Sequence, residues 1–208
     1  MRRVGRATST RDALLHAADT LLDRDGIDAV TLRAVGAAAG VSRQAPYKHY
    51  ADKQHLLAAL AATYVRQLGR NVALAARRGT HASVSQLGHM CRTYVQYAVH
   101  HPHRYRLMFD ASLSQRDDEL AAARHALGAH FVEAIARCQD RRVLPGTEPM
   151  PLAIALYAAT HGIVELALGG HVKEPHAAAD PARVLDQLLQ FLAATRLPRQ
   201  RRLRSTEE

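Results

Sequence analysis

The sequence predicts an all-α fold, and three observations carry that prediction. Alanine and leucine dominate the 208 residues while Val, Ile and aromatic residues are few, a mix that favours helices over sheets. Apolar residues recur at helical spacing through most of the chain, and no strand-like alternation of any length interrupts them. Gly, Pro and small polar residues punctuate those stripes where helix ends are needed. With 48% hydrophobic residues, the chain can bury a core in one or two domains.

The first stripe is Leu14, Ala17, Ala18, Leu21 and Leu22, on a helix over 10–24 with Thr10 as N-cap and Gly26 as stop. Thr31 caps a two-turn helix carrying Leu32 and Val35, which Gly40 ends. Ser42 then caps a second short helix over 43–50. Two short helices around a tight Ala-Gly-Val-Ser turn make a helix-turn-helix pattern. Pro46 forfeits the first i→i−4 bond of the second helix, which tightens it toward 3₁₀ geometry. Asp52 caps a long helix with the stripe Leu56, Leu57, Leu60, Tyr64 and Leu68, and Gly79 is its stop. Further helices are predicted over 82–100, 102–113, 117–141, 152–168 and 181–195, with LPGTEPMP as a Pro/Gly linker. The chain therefore divides into an N-terminal helix-turn-helix unit at 1–55, a helical domain at 56–197 and a basic tail at 198–208.

Composition narrows the function classes. Net charge is +9, and all but three of the 28 cations are arginines, a balance that suits a polyanion. The excess lies at the two ends: eight Lys/Arg against five Asp/Glu in residues 1–50, and five Arg against two Glu in the last thirteen. No apolar run approaches the ~20 residues of a membrane span. Asp12, His16 and Asp19 interrupt the N-terminus where a secretory signal needs continuous apolar residues, so a cytoplasmic protein without membrane contact is expected. Cys91 and Cys138 form neither a CxxC pair nor a zinc spacing, and read as reduced, half-buried thiols. There is no Gly-rich phosphate loop and no GxSxG elbow, so neither an enzyme nor a cofactor is expected.

The stretch Arg43, Gln44, Ala45, Pro46, Tyr47, Lys48, His49, Tyr50 is too polar and too bulky for an ordinary core helix. It stands in an ordered series: TLLDRDGIDAVTLRAVGAAAGVS, then APYKHYADKQHLL, with Gly-Val-Ser, Tyr-x-His-Tyr and x-x-Lys-x-x-Leu-Leu in fixed spacing. In these residues the chain resembles the TetR/AcrR family of transcriptional regulators. The likeness covers about residues 10–60 and beyond residue 80 is mainly one of architecture. The family usually has Leu, Phe or Ile where Pro46 stands, and often Phe where Tyr50 stands. YAATHGIVELALGG, residues 157–170, resembles the aromatic-x-x-x-His-Gly signature of one group of family C-terminal domains, usually with Trp in place of Tyr157.

The resemblance implies a double-stranded DNA partner. Arg43, Gln44 and Ala45 then fall where a recognition helix reaches base edges, Arg43 suited to guanine, Gln44 to adenine and Ala45 to a thymine methyl. Tyr47, Lys48 and His49 resemble the family's flanking phosphate contacts, with Ser42 at the turn before them. Thr31 and Arg33 open the preceding helix, whose free N–H groups favour phosphate, and Lys53 matches the family's phosphate-binding lysine. Tyr50 is assigned to the core. For each polar residue the bland alternative is a solvated side chain.

One copy touches too few base pairs for specificity. A two-fold pair demands a palindromic operator read by helices about 34 Å or somewhat more apart. The segments 152–168 and 181–195 are the expected homodimer surface, pairing as a four-helix bundle. The middle helices are expected to enclose a pocket for a small, largely apolar effector, lined by Met90, Tyr94, Tyr97, Met108, Phe109 and Phe131. His89, His101, Arg104 and His161 supply polar handles. The expected function is a repressor that the effector releases from DNA. Two rivals stand. One is a helical metal-binding protein or enzyme built on His100, His101 and His103, or on His161 with Glu165, although adjacent histidines rarely chelate one ion and no HExxH is present. The other is an interaction module whose basic N-terminal unit binds an acidic protein.

Overall fold

The computed structural model describes residues 9–78, 83–113, 117–146, 148–170 and 180–194. Among them are eight α-helices and three single 3₁₀ turns, and no strand. Gly79, Thr195 and the tail at 198–208 lie outside the described residues.

Helix α1 (Thr10–Asp25) buries the whole expected stripe, Leu14, Ala17, Ala18, Leu21 and Leu22. Its N-cap is Ser9, not Thr10: Ser9 is extended and its Oγ accepts from the backbone N–H of Asp12 at 3.1 Å, so Thr10 is already the first helical residue. Gly26, at φ 80°, ends it. A 3₁₀ turn (Ile27–Ala29) leads to α2 (Leu32–Ala38), which Thr31 caps through Oγ1 on the N–H of Ala34. Gly40 at φ 66° closes α2 in a Schellman arrangement, with Val41 N–H on the Gly36 carbonyl and Gly40 N–H on that of Ala37.

The segment 43–50 is shorter than the helix its sequence predicts, and the expected tightening toward 3₁₀ geometry at Pro46 is what remains of it. It is a turn followed by one 3₁₀ turn (Pro46–Lys48). The cause is Pro46, which has no N–H for the Ser42 carbonyl; Ala45 N–H bonds that carbonyl instead, at 2.9 Å. Ser42 therefore acts through its backbone and not as a side-chain cap. Pro46 is buried against α2, where a Cβ on Gly36 would stand 2.8 Å from Pro46 Cγ.

Asp52 caps α3 (Lys53–Ala75), accepting the N–H of His55 at 2.9 Å. That bond holds the Asp52 carboxyl below the usual carboxylate range. The helix runs unbroken through residues 55 and 56 and buries thirteen residues, Leu56, Leu57, Leu60, Tyr64 and Leu68 among them. Around it pack α1, α4 (Val84–His100), α5 (Pro102–Met108) and α6 (Asp118–Asp140). A 3₁₀ turn (Ala111–Leu113) takes up the end of the segment expected to be one helix over 102–113. Helices α7 (Pro149–Leu168) and α8 (Pro181–Ala194) lie against α4, and α7 also against α6. The sequence showed no apolar run near membrane-spanning length, but α7 is long and apolar enough to cross a membrane. Pro149, Met150 and Pro151 extend it one turn ahead of the predicted start, and its buried face of Ala153, Leu156, Thr160 and Val164 packs into the core.

The rigid Pro46 ring leaves no room for a methyl at Gly36. Gly36→Ala is expected to lower stability by about 1–3 kcal/mol despite the higher helix propensity of alanine. Adding Pro46→Ala is expected to restore part of that loss. Urea unfolding of the two single variants and the double variant measures the coupling, and a more stable Gly36→Ala variant contradicts the close contact.

Candidate nucleic-acid interface and ligand cavity

From Ala29 to Ala51 the chain contains no Asp or Glu, while Arg33, Arg43 and Lys48 fall inside that span. Val30, Leu32, Val35, Pro46 and Tyr50 are buried beneath it. Above them Thr31, Arg33, Ser42, Arg43, Gln44, Tyr47, Lys48 and His49 are exposed, and Ala45 is half-buried. Tyr47 keeps 53% of its surface open although it is a large aromatic residue. Tyr50 turns inward as expected, with the Arg11 guanidinium 6.0 Å from its ring centre. Lys53 is half-buried and donates from Nζ to the Ile27 carbonyl at 3.0 Å, which anchors the start of α3 to the 3₁₀ turn after α1. The result is one cationic, hydrogen-bonding surface on a small apolar base, the form that phosphate and base-edge contacts require.

A second feature lies in the helical bundle. A cavity of about 650 Å³ opens between α4, α6 and α7, within the size range of small-molecule sites. Leu127, Phe131 and Val132 of α6 and Ala153, Ile154 and Leu156 of α7 give it apolar walls. One end is aromatic. There the His161 ring stacks on Tyr157 with centroids 5.5 Å apart and meets the Phe109 ring edge-on at 5.2 Å. Tyr105 Oη is hydrogen-bonded to His161 Nδ1 behind this wall. Arg124 reaches the same cavity but directs Nε to the Met108 carbonyl at 2.9 Å, and burial lowers its pKa.

The family model for bacterial regulatory proteins of the tetR family matches residues 14–60, and that for the tetracyclin repressor-like C-terminal domain matches residues 87–192. The chain belongs to the TetR family. An uncharacterized HTH-type transcriptional regulator of Mycobacterium tuberculosis, Rv0681, is 27% identical over 165 residues, 79% of this chain and 72% of that protein. A protein of unknown function from Rhodococcus sp. RHA1 superposes with a TM-score of 0.79 at 27% identity, over 92% of this chain and 100% of its own. The fatty acid degradation regulator FadR of Bacillus halodurans shares the fold, with a TM-score of 0.70 at 12% identity over 90% and 96% of the two chains. Neither family description names the aromatic-x-x-x-His-Gly group.

In this TetR-family chain the cavity contains four of the ten lining residues and polar handles expected from sequence: Tyr94, Phe109, Phe131 and His161. The other six are elsewhere. Met90 and Met108 are wholly buried and fill the core. Tyr97 and His101 meet with tilted rings, centroids 5.0 Å apart, on the side that faces α1. Of the other expected polar handles, His89 pairs with Arg92 at 3.0 Å, and Arg104 turns to α1. Arg124, Thr160 and Tyr157 were not expected among the lining residues. Tyr157 had a local signal, since it lies four residues before His161 and so shares its helix face. Arg124 had none, being one cation among the alanines of α6. Among the described residues no three His, Cys, Asp or Glu side chains group as metal ligands would.

Helix α5 connects the two sites. Arg104 Nε donates to Asp23 Oδ1 at 3.0 Å, and its Nη2 lies 3.1 Å from Asp19 Oδ1, both acids on α1. Tyr64 Oη of α3 donates to the same Asp19 at 2.6 Å, and the guanidinium stands 5.1 Å from the Tyr64 ring centre. The next residue, Tyr105, faces the opposite way, into His161.

Both cysteines are buried, not half-buried. Burial pushes the Cys91 thiol up to about 12 and raises that of Cys138. With so little thiolate at pH 8, a disulfide-exchange reagent is expected to label neither thiol rapidly in the native protein and both in denaturant. Absorbance release on mixing measures this, and a fast native thiol would reopen a redox role.

Proposed function

We propose that this chain is a cytoplasmic homodimeric repressor that reads a palindromic operator and is released from it by a small, largely apolar effector. The family supplies the coarser part: its regulators bind DNA and small-molecule effectors and form homodimers. The observation that carries the finer reading is the two-sided α5, with Arg104 bound to the α1 acids and Tyr105 bound to the cavity residue His161. A ligand that prefers one arrangement of the aromatic wall biases the position of α1, and with it the exposed segment that α1 supports. The homodimer reading is supported by the outer face of α7 and α8, where Leu166 and Val184 remain exposed.

On the DNA side, Arg43, Gln44 and Ala45 read base edges, while Thr31, Arg33, Ser42, Tyr47, Lys48, His49 and Lys53 hold phosphates. Lys53 retains two ammonium protons beyond the one given to Ile27. Because 43–50 is a turn and a 3₁₀ turn, its exposed donors occupy a shorter length than a regular helix gives them.

Selection from random DNA with the purified protein is expected to recover a palindrome. Arg43→Ala is expected to relax one half-site position by about 1–3 kcal/mol, whereas Lys53→Ala weakens all DNA about equally. A uniform loss with Arg43→Ala would remove that residue as a base reader. Arg104→Met is expected to bring the ratio of operator affinities with and without ligand toward one, from a coupling of about fivefold to 150-fold. Fluorescence anisotropy on the selected operator gives both quantities, and an unchanged ratio rules α5 out as the connection.

A further inference from the structure

Among the residues that line the cavity, one has a buried polar atom that the fold leaves without a partner. Tyr94 is 3% exposed, and its Oη has no hydrogen-bonding partner. The Tyr105 hydroxyl stands beside it, near enough to raise its pKa through hydrogen bonding as well as charge, but it is engaged with His161 and does not complete a bond of good geometry to Tyr94. Burial holds the Tyr94 phenol protonated, so it is a standing donor. A buried donor without an acceptor is costly, and the cost is recovered by whatever brings an acceptor.

The other polar groups are engaged or lie at the rim. Thr160 Oγ1 donates to the Leu156 carbonyl at 2.7 Å. Arg124 bonds the carbonyls of Met108 and Asp110. His125 and Glu133 line the cavity but are exposed. His161 is different. Tyr105 is fully buried, and its hydroxyl is bonded to His161 Nδ1. In the tautomer where the phenol donates to Nδ1, the imidazole proton is on Nε2 and that nitrogen is a second donor. Two donors in that tautomer thus belong to the aromatic end, beside the half-open Tyr157, while apart from the polar groups just named the rest of the wall is Leu, Val, Ile, Ala, Gly, Met and Phe.

We propose that the ligand of this cavity is an otherwise apolar molecule carrying one acceptor oxygen of carbonyl type, which Tyr94 Oη and His161 Nε2 bind together. This rests on the reading of the cavity as the effector site. The apolar body lies along Leu127, Val132 and Ile154, and the oxygen replaces the acceptor that Tyr94 lacks. A ligand bonded to His161 also touches the group that Tyr105 of α5 holds.

Three probes of one shape test it: the β isomers of acetylnaphthalene, ethylnaphthalene and naphthoate. Each is titrated calorimetrically into the full chain, into Tyr94→Phe, and into Ile154→Trp. Ile154 is exposed where it lines the cavity, so tryptophan there obstructs the space without disturbing the core. The ketone is expected to bind about fivefold to tenfold more tightly than the hydrocarbon. Tyr94→Phe is expected to remove that advantage, leave ethylnaphthalene binding unchanged, and melt no lower than the parent chain. If naphthoate is the tighter probe and loses as much in Tyr94→Phe, the acceptor is ionised; if the ketone is tighter, it is neutral. Equal binding of ketone and hydrocarbon, or an advantage that survives Tyr94→Phe, overturns the acceptor assignment and leaves the effector site standing. Failure of all three probes to bind, or binding indifferent to Ile154→Trp, overturns the cavity reading and the inference with it.

Discussion

The structure depends on the burial of α3 along nearly its whole length. Small residues make this possible. Ala58, Ala59, Ala61 and Ala62 are all buried, and their short side chains let α1, α4 and α6 approach the helix from several sides. The larger residues Leu56, Leu57, Leu60, Tyr64 and Leu68 fill the remaining spaces. Because α3 starts under the cationic segment and ends in the bundle, the two parts share one core and not a flexible joint. A shift of one packed side chain is then resisted or transmitted, since interiors at close-packed density yield little.

This constraint gives the α5 contacts their meaning. Arg104 lies only partly exposed between two carboxylates, one of which also accepts from Tyr64. Bonding to Asp23 raises the pKa of the guanidinium, while burial and Asp19 drive that of Tyr64 strongly upward. The set is a charge-assisted network with fixed geometry, and its members come from α1, α3 and α5. Such networks are costly when half made, so α5 cannot leave α1 gradually. The aromatic wall on the other side of α5 has the same all-or-none character, through ring contacts and one hydrogen bond.

Local signals were legible in the sequence, and tertiary ones were not. Thr31, Asp52, Gly26 and Gly40 lie where short-range chemistry puts them, because a cap or a positive φ is decided within four residues. The helix-turn-helix motif was read the same way, as was the inward turn of Tyr50. Pro46 was the informative failure. Its missing N–H was visible, but the partner that lets it be buried, Gly36, lies ten residues away and is seen only in three dimensions. The cavity was half legible for a related reason. Met90, Tyr94 and Tyr97 share the inner side of α4, and periodicity cannot say which part of a buried stripe meets protein and which meets a void. Met90 meets protein and Tyr94 meets the void, a difference made by the placement of α6 and α7.

Helix α7 shows how far composition misleads when its surroundings are ignored. It is apolar nearly all round, yet only Ala153, Leu156, Thr160 and Val164 are buried. Elsewhere an apolar surface of that extent marks either lipid or an unfilled interface. Here it divides. Met150, Ile154 and Tyr157 border the cavity, so their exposure is exposure to that space. Leu166, three turns further on, faces outward, on the side read as the homodimer contact. One helix therefore has its N-terminal half on the cavity and its C-terminal half on the outward apolar face, with His161 between them. A rotation of α7 that changes its packing on the cavity must turn its outward face as well, because a helix rotates as a unit. On the function proposed above, a ligand that moves the aromatic wall therefore acts on α1 through α5 and on the outer face of α7 together.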